Sequence, residues 1–324
     1  MKRYRDAAAK LQHWLDTHFD AEGRCVLGSD DVRFYSKAPY LLTMAGLRAK
    51  GARVAKRVYE RFLDERGDLT GPPTLSVDQR VYGMGWLALG ATVVERFDLA
   101  DRIAGRLAER QDAQCGGIVL PDADAEEEVA EACFSGGAGM GLAAAGKHQA
   151  AQLMAERFVA LLDDQPETGR FYNRFRRDGS VVAKPAAGAW EKMYDLELPE
   201  QRPANFATVA LTLVWAGRAM GEERYFAAAG RYADLVYSHR LDPAEFGRAT
   251  KFGWAMIQLY DDTGDSRLLE RAQRLGDVLV REQSDDGLWD PRPLGQGTAP
   301  PWERLSYSSD CAMTVCALAG LPQA

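Results

Sequence analysis

Histidine is scarce in this sequence, with four in 324 residues: His13, His18, His148 and His239. Their spacing builds no metal-ligand set, and all four fall on polar helical runs or at the ends of them. The five cysteines, Cys25, Cys115, Cys133, Cys311 and Cys316, are odd in number and irregular in spacing. That excludes a C-x-x-C zinc site and a paired disulfide framework, and it predicts free thiols in a reducing compartment. No apolar run reaches the roughly 18 residues of a membrane span. Lys and Arg are scattered, and the net charge is −7, so nothing tracks a phosphate backbone and nucleic acid is not an expected partner. A glycine-rich phosphate loop and a flavin or nicotinamide fingerprint are also missing, so no cofactor and no metal are expected. The first residues, Met1 to Asp6, lead into an amphipathic helix and not an apolar leader, which predicts a cytoplasmic protein.

What is present is a repeat. Helical runs with Arg, Glu and Asp on one face cover about 3–18, 52–65, 98–111, 148–163, 222–239 and 266–282. They alternate with runs richer in small and apolar residues at 38–49, 78–94, 132–145, 205–219, 249–262 and 309–319. A helix apolar nearly all round is a buried helix, and one with a polar stripe is an outer helix. Between an outer run and the next inner one, a glycine turn recurs: Gln283 to Trp289, Gln165 to Phe171, Gln111 to Ile118, and weaker copies at 20–26 and 64–69. The glycine supplies the positive φ that closes such a turn. Six outer and six inner helices in strict alternation predict an all-α chain, an (α/α)6 toroid of six helical hairpins forming one domain over 1–324. β-structure is expected only in loops, chiefly as a hairpin at 170–183 around Asp178-Gly179.

The repeat resembles two groups of toroids. Its Q-x3-G-aromatic turns look like those of the terpenoid cyclase and protein prenyltransferase superfamily. Asp286-Gly287-Leu288-Trp289, followed by Trp302-Glu303-Arg304-Leu305-Ser306, also looks like the six-hairpin glycosidases. The departures matter. The stretch Asp122 to Glu126 does not match the Asp-x-Asp-Asp acid motif of class II cyclases, and no histidine stands where zinc-dependent prenyltransferases, lanthionine cyclases or sugar 2-epimerases of this fold would use one.

The connections from outer to inner helices are long (about 19–36, 66–77, 112–130, 164–204 and 284–308), and those leaving the inner helices are short. All the long loops must therefore lie at one end of the ring, where binding residues collect. The longest, 164–204, is expected to fold over the mouth as a lid. Residues at the starts of the inner helices should line the mouth. Asp78, Glu131 and Asp310 are the candidate acids or bases, and Tyr35 and Tyr307 the candidate proton donors. Each has a plainer role open to it: Asp78 and Asp310 as helix-start residues, Glu131 as the end of a solvated acidic run, the tyrosines as packing. Lys37, Arg80, Lys192 and Lys251 suit an anionic ligand, with Trp190, Glu191, Tyr194, Asn205, Trp254 and Cys311 completing the substrate-binding set. Cys133 and Cys311 could act as nucleophiles only beside a base.

Four cations at one mouth are too many for a hydrocarbon cyclase. The expectation is a cofactor-independent enzyme of the isomerase, cyclase or lyase type, using acid–base chemistry on a small, polar, anionic substrate. The alternatives are a carbohydrate-active enzyme, a glycoside hydrolase or uronate-processing enzyme using paired carboxylates, and a non-catalytic ligand-binding toroid. A monomer or homodimer is expected.

Overall fold

The structure is a computed structural model that describes residues 1–122, 127–183, 193–198, 204–238, 251–292 and 297–321. Among them are twelve α-helices. The outer ones are α1 (Lys2–His18), α3 (Arg48–Arg61), α5 (Phe97–Arg110), α7 (His148–Asp163), α9 (Glu223–Ser238) and α11 (Ser266–Glu282). The inner ones are α2 (Ala38–Met44), α4 (Val77–Val93), α6 (Ala132–Ala144), α8 (Ala204–Met220), α10 (Phe252–Thr263) and α12 (Pro301–Gly320). The inner helices touch in the cyclic order α2, α4, α6, α8, α10, α12 and back to α2, so the ring is closed. Each packs tightly on the outer helix that follows it across a short connection, and α12 completes the pattern by packing on α1. This is an (α/α)6 toroid.

The sequence pattern explains the layers. In α11, Leu268, Ala272, Leu275 and Leu279 are buried, spaced by three or four residues, while the arginines face out. In α6, Ser135 to Ala143 are all buried. Its glycines set how closely it meets α4: a Cβ at Gly85 would stand 1.9 Å from the Gly137 carbonyl oxygen, and one at Gly141 would stand 2.6 Å from the Gly85 oxygen.

The glycine turns have a second purpose beyond the positive φ found at Gly23, Gly67, Gly116, Gly169 and Gly287. Four of them lie against the backbone of the next outer helix. A Cβ would meet Arg53 in α3 from Gly23, Arg102 in α5 from Gly67, Leu153 in α7 from Gly116 and Lys10 in α1 from Gly287, all within 2.9 Å. The turn glutamines add a tie. Gln111 Nε2 donates to Gly116 O (2.7 Å) and to Ala150 O in α7 (2.8 Å). Gln283 Nε2 likewise donates to Gly287 O and to Ala7 O in α1, both at 2.9 Å. In these four copies the turn is a clamp onto the following outer helix, and the last of them closes the ring on α1.

Among the described residues, five short strands decorate the loops. β1 (Val119–Asp122), β2 (Glu127–Glu131) and β4 (Arg174–Phe175) form an antiparallel sheet, and β3 (Arg170–Tyr172) pairs with β5 (Met193–Asp195). The expected hairpin over 170–183 is therefore smaller. Phe175 bridges Val181 around Asp178-Gly179, but β3 pairs elsewhere. The β1–β2 hairpin was not foreseen. A second correction concerns α12, which starts at Pro301 and not near 309. Asp310 therefore lies well inside a helix and caps nothing.

Candidate active site

The inner-helix starts deliver charged side chains to one end of the ring. Lys37 is the N-cap residue of α2 and Lys251 that of α10. Both are buried, at 7% and 3% exposure. Asp310 reaches them from α12. Its Oδ1 accepts from Lys37 Nζ at 2.7 Å and its Oδ2 from Lys251 Nζ at 3.4 Å. Lys37 also donates to Ser306 O at 3.4 Å. Residues 37, 251 and 310, remote in sequence, thus form one buried cation–anion–cation group.

The electrostatics of the group are mutual. Burial alone would raise the Asp310 carboxyl, but the ammonium groups of Lys251 and Lys37 outweigh it and hold the carboxyl below its ordinary range. Burial would lower Lys251, and Asp310 more than offsets that, so Lys251 stays protonated well past neutrality. Two positive charges share one negative one, in a site poor in water. Such a site favours a ligand that brings oxygen acceptors.

Aromatic rings wall it. The Tyr82 ring centroid lies 5.5 Å from Lys37 Nζ and 5.8 Å from Lys251 Nζ, and the Trp86 ring 5.5 Å from Lys37 Nζ. Trp254 is fully buried, with its ring 5.4 Å from Tyr40 and 6.0 Å from Trp86. It fills the floor of the ring beside the lysines. Cys133, in the first turn of α6, completes the rim, with Sγ 3.9 Å from Thr208 Oγ1. Burial pushes its thiol up to about 12, against the pull of Lys251 and with the push of Glu131 and Asp310. It is a thiol at neutral pH and no nucleophile. Cys311 is fully buried and is also raised by burial.

The remaining candidates divide. Glu131 is the N-cap residue of α6, sits opposite Arg174 in the β2–β4 register, and bears on the same thiol as Asp310. Asp78 lies in the first turn of α4, four residues before Tyr82 and on its face of the helix. Arg80, half-buried, donates to Leu75 O at 3.3 Å. Tyr307 lies on α12 one turn before Asp310 and engages the Cys311 thiol. Tyr35 is not at the cluster: its hydroxyl donates to Ser29 O (2.9 Å) and accepts from Cys25 N (3.0 Å), tying a loop together. Tyr194 is fully buried in β5, with its ring 4.7 Å from that of Phe206, and it packs. Asn205 is buried near the start of α8. Trp190, Glu191 and Lys192 lie outside the described residues. Of the histidines, His13 and His18 are on α1 and His148 begins α7, all in the outer layer; His239 lies outside the described residues. Tyr82 and Trp86 were not among the candidate residues, although the sequence places the stretch Asp78 to Tyr82 at the mouth. Their signal was the position of Tyr82 one turn after Asp78.

Solved structures with the same architecture are numerous. A D-mannose isomerase matches with a TM-score of 0.67 at 13% identity, covering 98% of this chain and 97% of that one. An unsaturated glucuronyl hydrolase specific for heparin matches at 0.63 and 11% identity, covering 99% and 97%. The family 76 α-1,6-mannanase of Salegentibacter sp. HEL1_6 matches at 0.63 and 14%, covering 98% and 99%. No family model and no curated protein matches the sequence. At these identities the likeness shows the fold alone: an (α/α)6 toroid of six helical hairpins, matched over nearly its whole length.

Proposed function

We propose that this protein is an enzyme acting on a sugar or sugar acid in the toroid cavity, by proton transfer, as an isomerase. The observation that carries the reading is the buried Lys37–Asp310–Lys251 group at the loop end of the ring. Preorganised cations in a dry site stabilise negative charge that develops on a substrate oxygen, as an enediolate would require. Their surplus positive charge selects a substrate with an anionic group, such as a uronate. Similarity of fold to sugar-processing enzymes supports the substrate class by analogy alone.

The carboxylates then take different parts. Asp310 is held ionised by two lysines, so it is a poor general acid at neutral pH and a weak base. Glu131, at the rim beside Cys133, is assigned as the base that takes a proton from carbon, and Asp78 as its reserve on the α4 side. The connection 164–204 is assigned as a cover for the mouth, anchored by the pairing of β4 with β2 and of β3 with β5.

The test is proton NMR of aldoses, ketoses and uronic acids incubated with the protein in deuterium oxide. The expected result is interconversion with deuterium entering the carbon next to the carbonyl. No conversion and no exchange with any sugar would overturn the reading. A second reading, hydrolysis of a uronate glycoside, draws on the placing of two carboxylates near the Cys133 thiol, Glu131 at the end of β2 and Asp310 on α12. Release of a reducing sugar without exchange would favour it over isomerisation.

A further inference from the structure

We infer that Tyr82, with Lys251, is the proton-carrying pair of this site, its phenol handing a proton to and from a substrate oxygen. This rests on the isomerase reading and names a catalytic group for it. Tyr82 is half-buried, whereas Tyr35, Tyr40 and Tyr194 are closed in by packing. Its ring lies close to both ammonium groups, at the distances given above, and the Tyr82 side chain favours the charged form of Lys251.

The ring is also held in place. Trp86 and Phe134 meet it edge to face at 6.2 and 6.3 Å. Across the α4–α6 contact, Gly137 leaves it room, since a Cβ there would stand 2.6 Å from the Tyr82 ring. The ring is therefore fixed, only partly covered, and close to a buried ammonium. A phenol held beside an ammonium is placed to pass its proton to a substrate oxygen and take one back.

The step balances without any added reactant. Glu131 takes the proton from the carbon beside the carbonyl. The C–H electron pair forms the new carbon–carbon double bond, and the carbonyl π pair moves to oxygen. That oxygen takes the Tyr82 proton, leaving a phenolate facing Lys251. In the second half the neighbouring hydroxyl returns a proton to Tyr82, its oxygen becomes the new carbonyl, and the C=C π pair takes the proton from Glu131 at the former carbonyl carbon.

Two measurements test this. The first needs no substrate. The protein is labelled with tyrosine carrying 13C at Cζ, and the Tyr82 signal is identified by its loss in Tyr82→Phe. It should shift clearly in Lys251→Met, a variant that leaves the Lys37–Asp310 ion pair intact. A signal that stays put contradicts the pairing whatever the enzyme turns over. The second is kinetic. Tyr82→Phe keeps the ring and should lower kcat about 100-fold with KM within about threefold. A kcat within twofold of wild type overturns the catalytic role. If the wild-type protein converts no sugar, the isomerase reading falls and the catalytic role falls with it, while the spectrum still decides the pairing.

Discussion

Asp68 and Asp310 are each flanked by two cations, and they do different work. Asp68, in the turn after α3, takes Arg106 Nε at 2.7 Å and Arg110 Nη2 at 2.6 Å, both from α5. Asp310 takes Lys37 and Lys251 from two inner helices. The guanidinium is a planar fork, so Asp68 is satisfied from both sides by groups that also reach water. An ammonium is a point charge with three donors, and the Lys251 contact is long at 3.4 Å. The first arrangement is closed and binds a turn to the outer ring. The second keeps donors for something else, at the end of the ring where the loops meet.

Removing each carboxylate should expose the difference. Asp310→Asn leaves two buried ammonium groups facing each other and should cost about 4 kcal/mol of stability, read from urea unfolding. Asp68→Asn should cost about 2 kcal/mol, because Arg106 and Arg110 can turn to water. Equal costs would break the comparison. The Asp68 contribution also has a pH signature. Burial would raise its carboxyl, and the two arginines outweigh that and lower it. A depressed carboxyl stabilises the fold above the unfolded carboxylate pKa of about 3.9 and loses that contribution as pH falls through the folded value. The stability gap between wild type and Asp68→Asn should thus be constant from about pH 5 to 8 and shrink below about pH 4.

A smaller effect sharpens the same contrast in the turns. Gly116 is pressed on Leu153 of α7, while around Gly169 no atom lies within 4 Å of a Cβ position. Both have positive φ. Gly116→Ala should cost about 3 kcal/mol, from backbone strain and overpacking together, and Gly169→Ala about 1 kcal/mol from strain alone. Thermal melts of the two variants would show it.

Much of the ring could be read directly. The 3.6 period, the alternation of polar and apolar helices and the turn glycines are local signals, and the helices lie close to the spans they predicted. The start of α12 could have been read too: Pro301 with Glu303 is a helix-start pattern, hidden here by reading 284–308 as one loop. The β1–β2 hairpin was lost because the acidic run after Asp124 looked like a solvated face. The site was only half legible. Lys37, Lys251 and Asp310 were on the mouth by position, but nothing in the sequence joins residues 37, 251 and 310. Tyr82 acquires its meaning only from Lys251, a contact across 169 residues. Tyr35 was misjudged for the converse reason: its loop partners, Cys25 and Ser29, are also set by tertiary packing.

The most direct test of the account is Lys251→Met, assayed for sugar isomerisation and for melting temperature in parallel with Asp68→Asn. The account predicts that Lys251→Met loses turnover by about 100-fold or more, the loss expected when one preorganised charge is removed from a reacting oxygen, while its fold holds. Asp68→Asn should melt earlier and keep its turnover. Full turnover in Lys251→Met would contradict the claim that the buried lysine cluster is the reactive centre of the toroid.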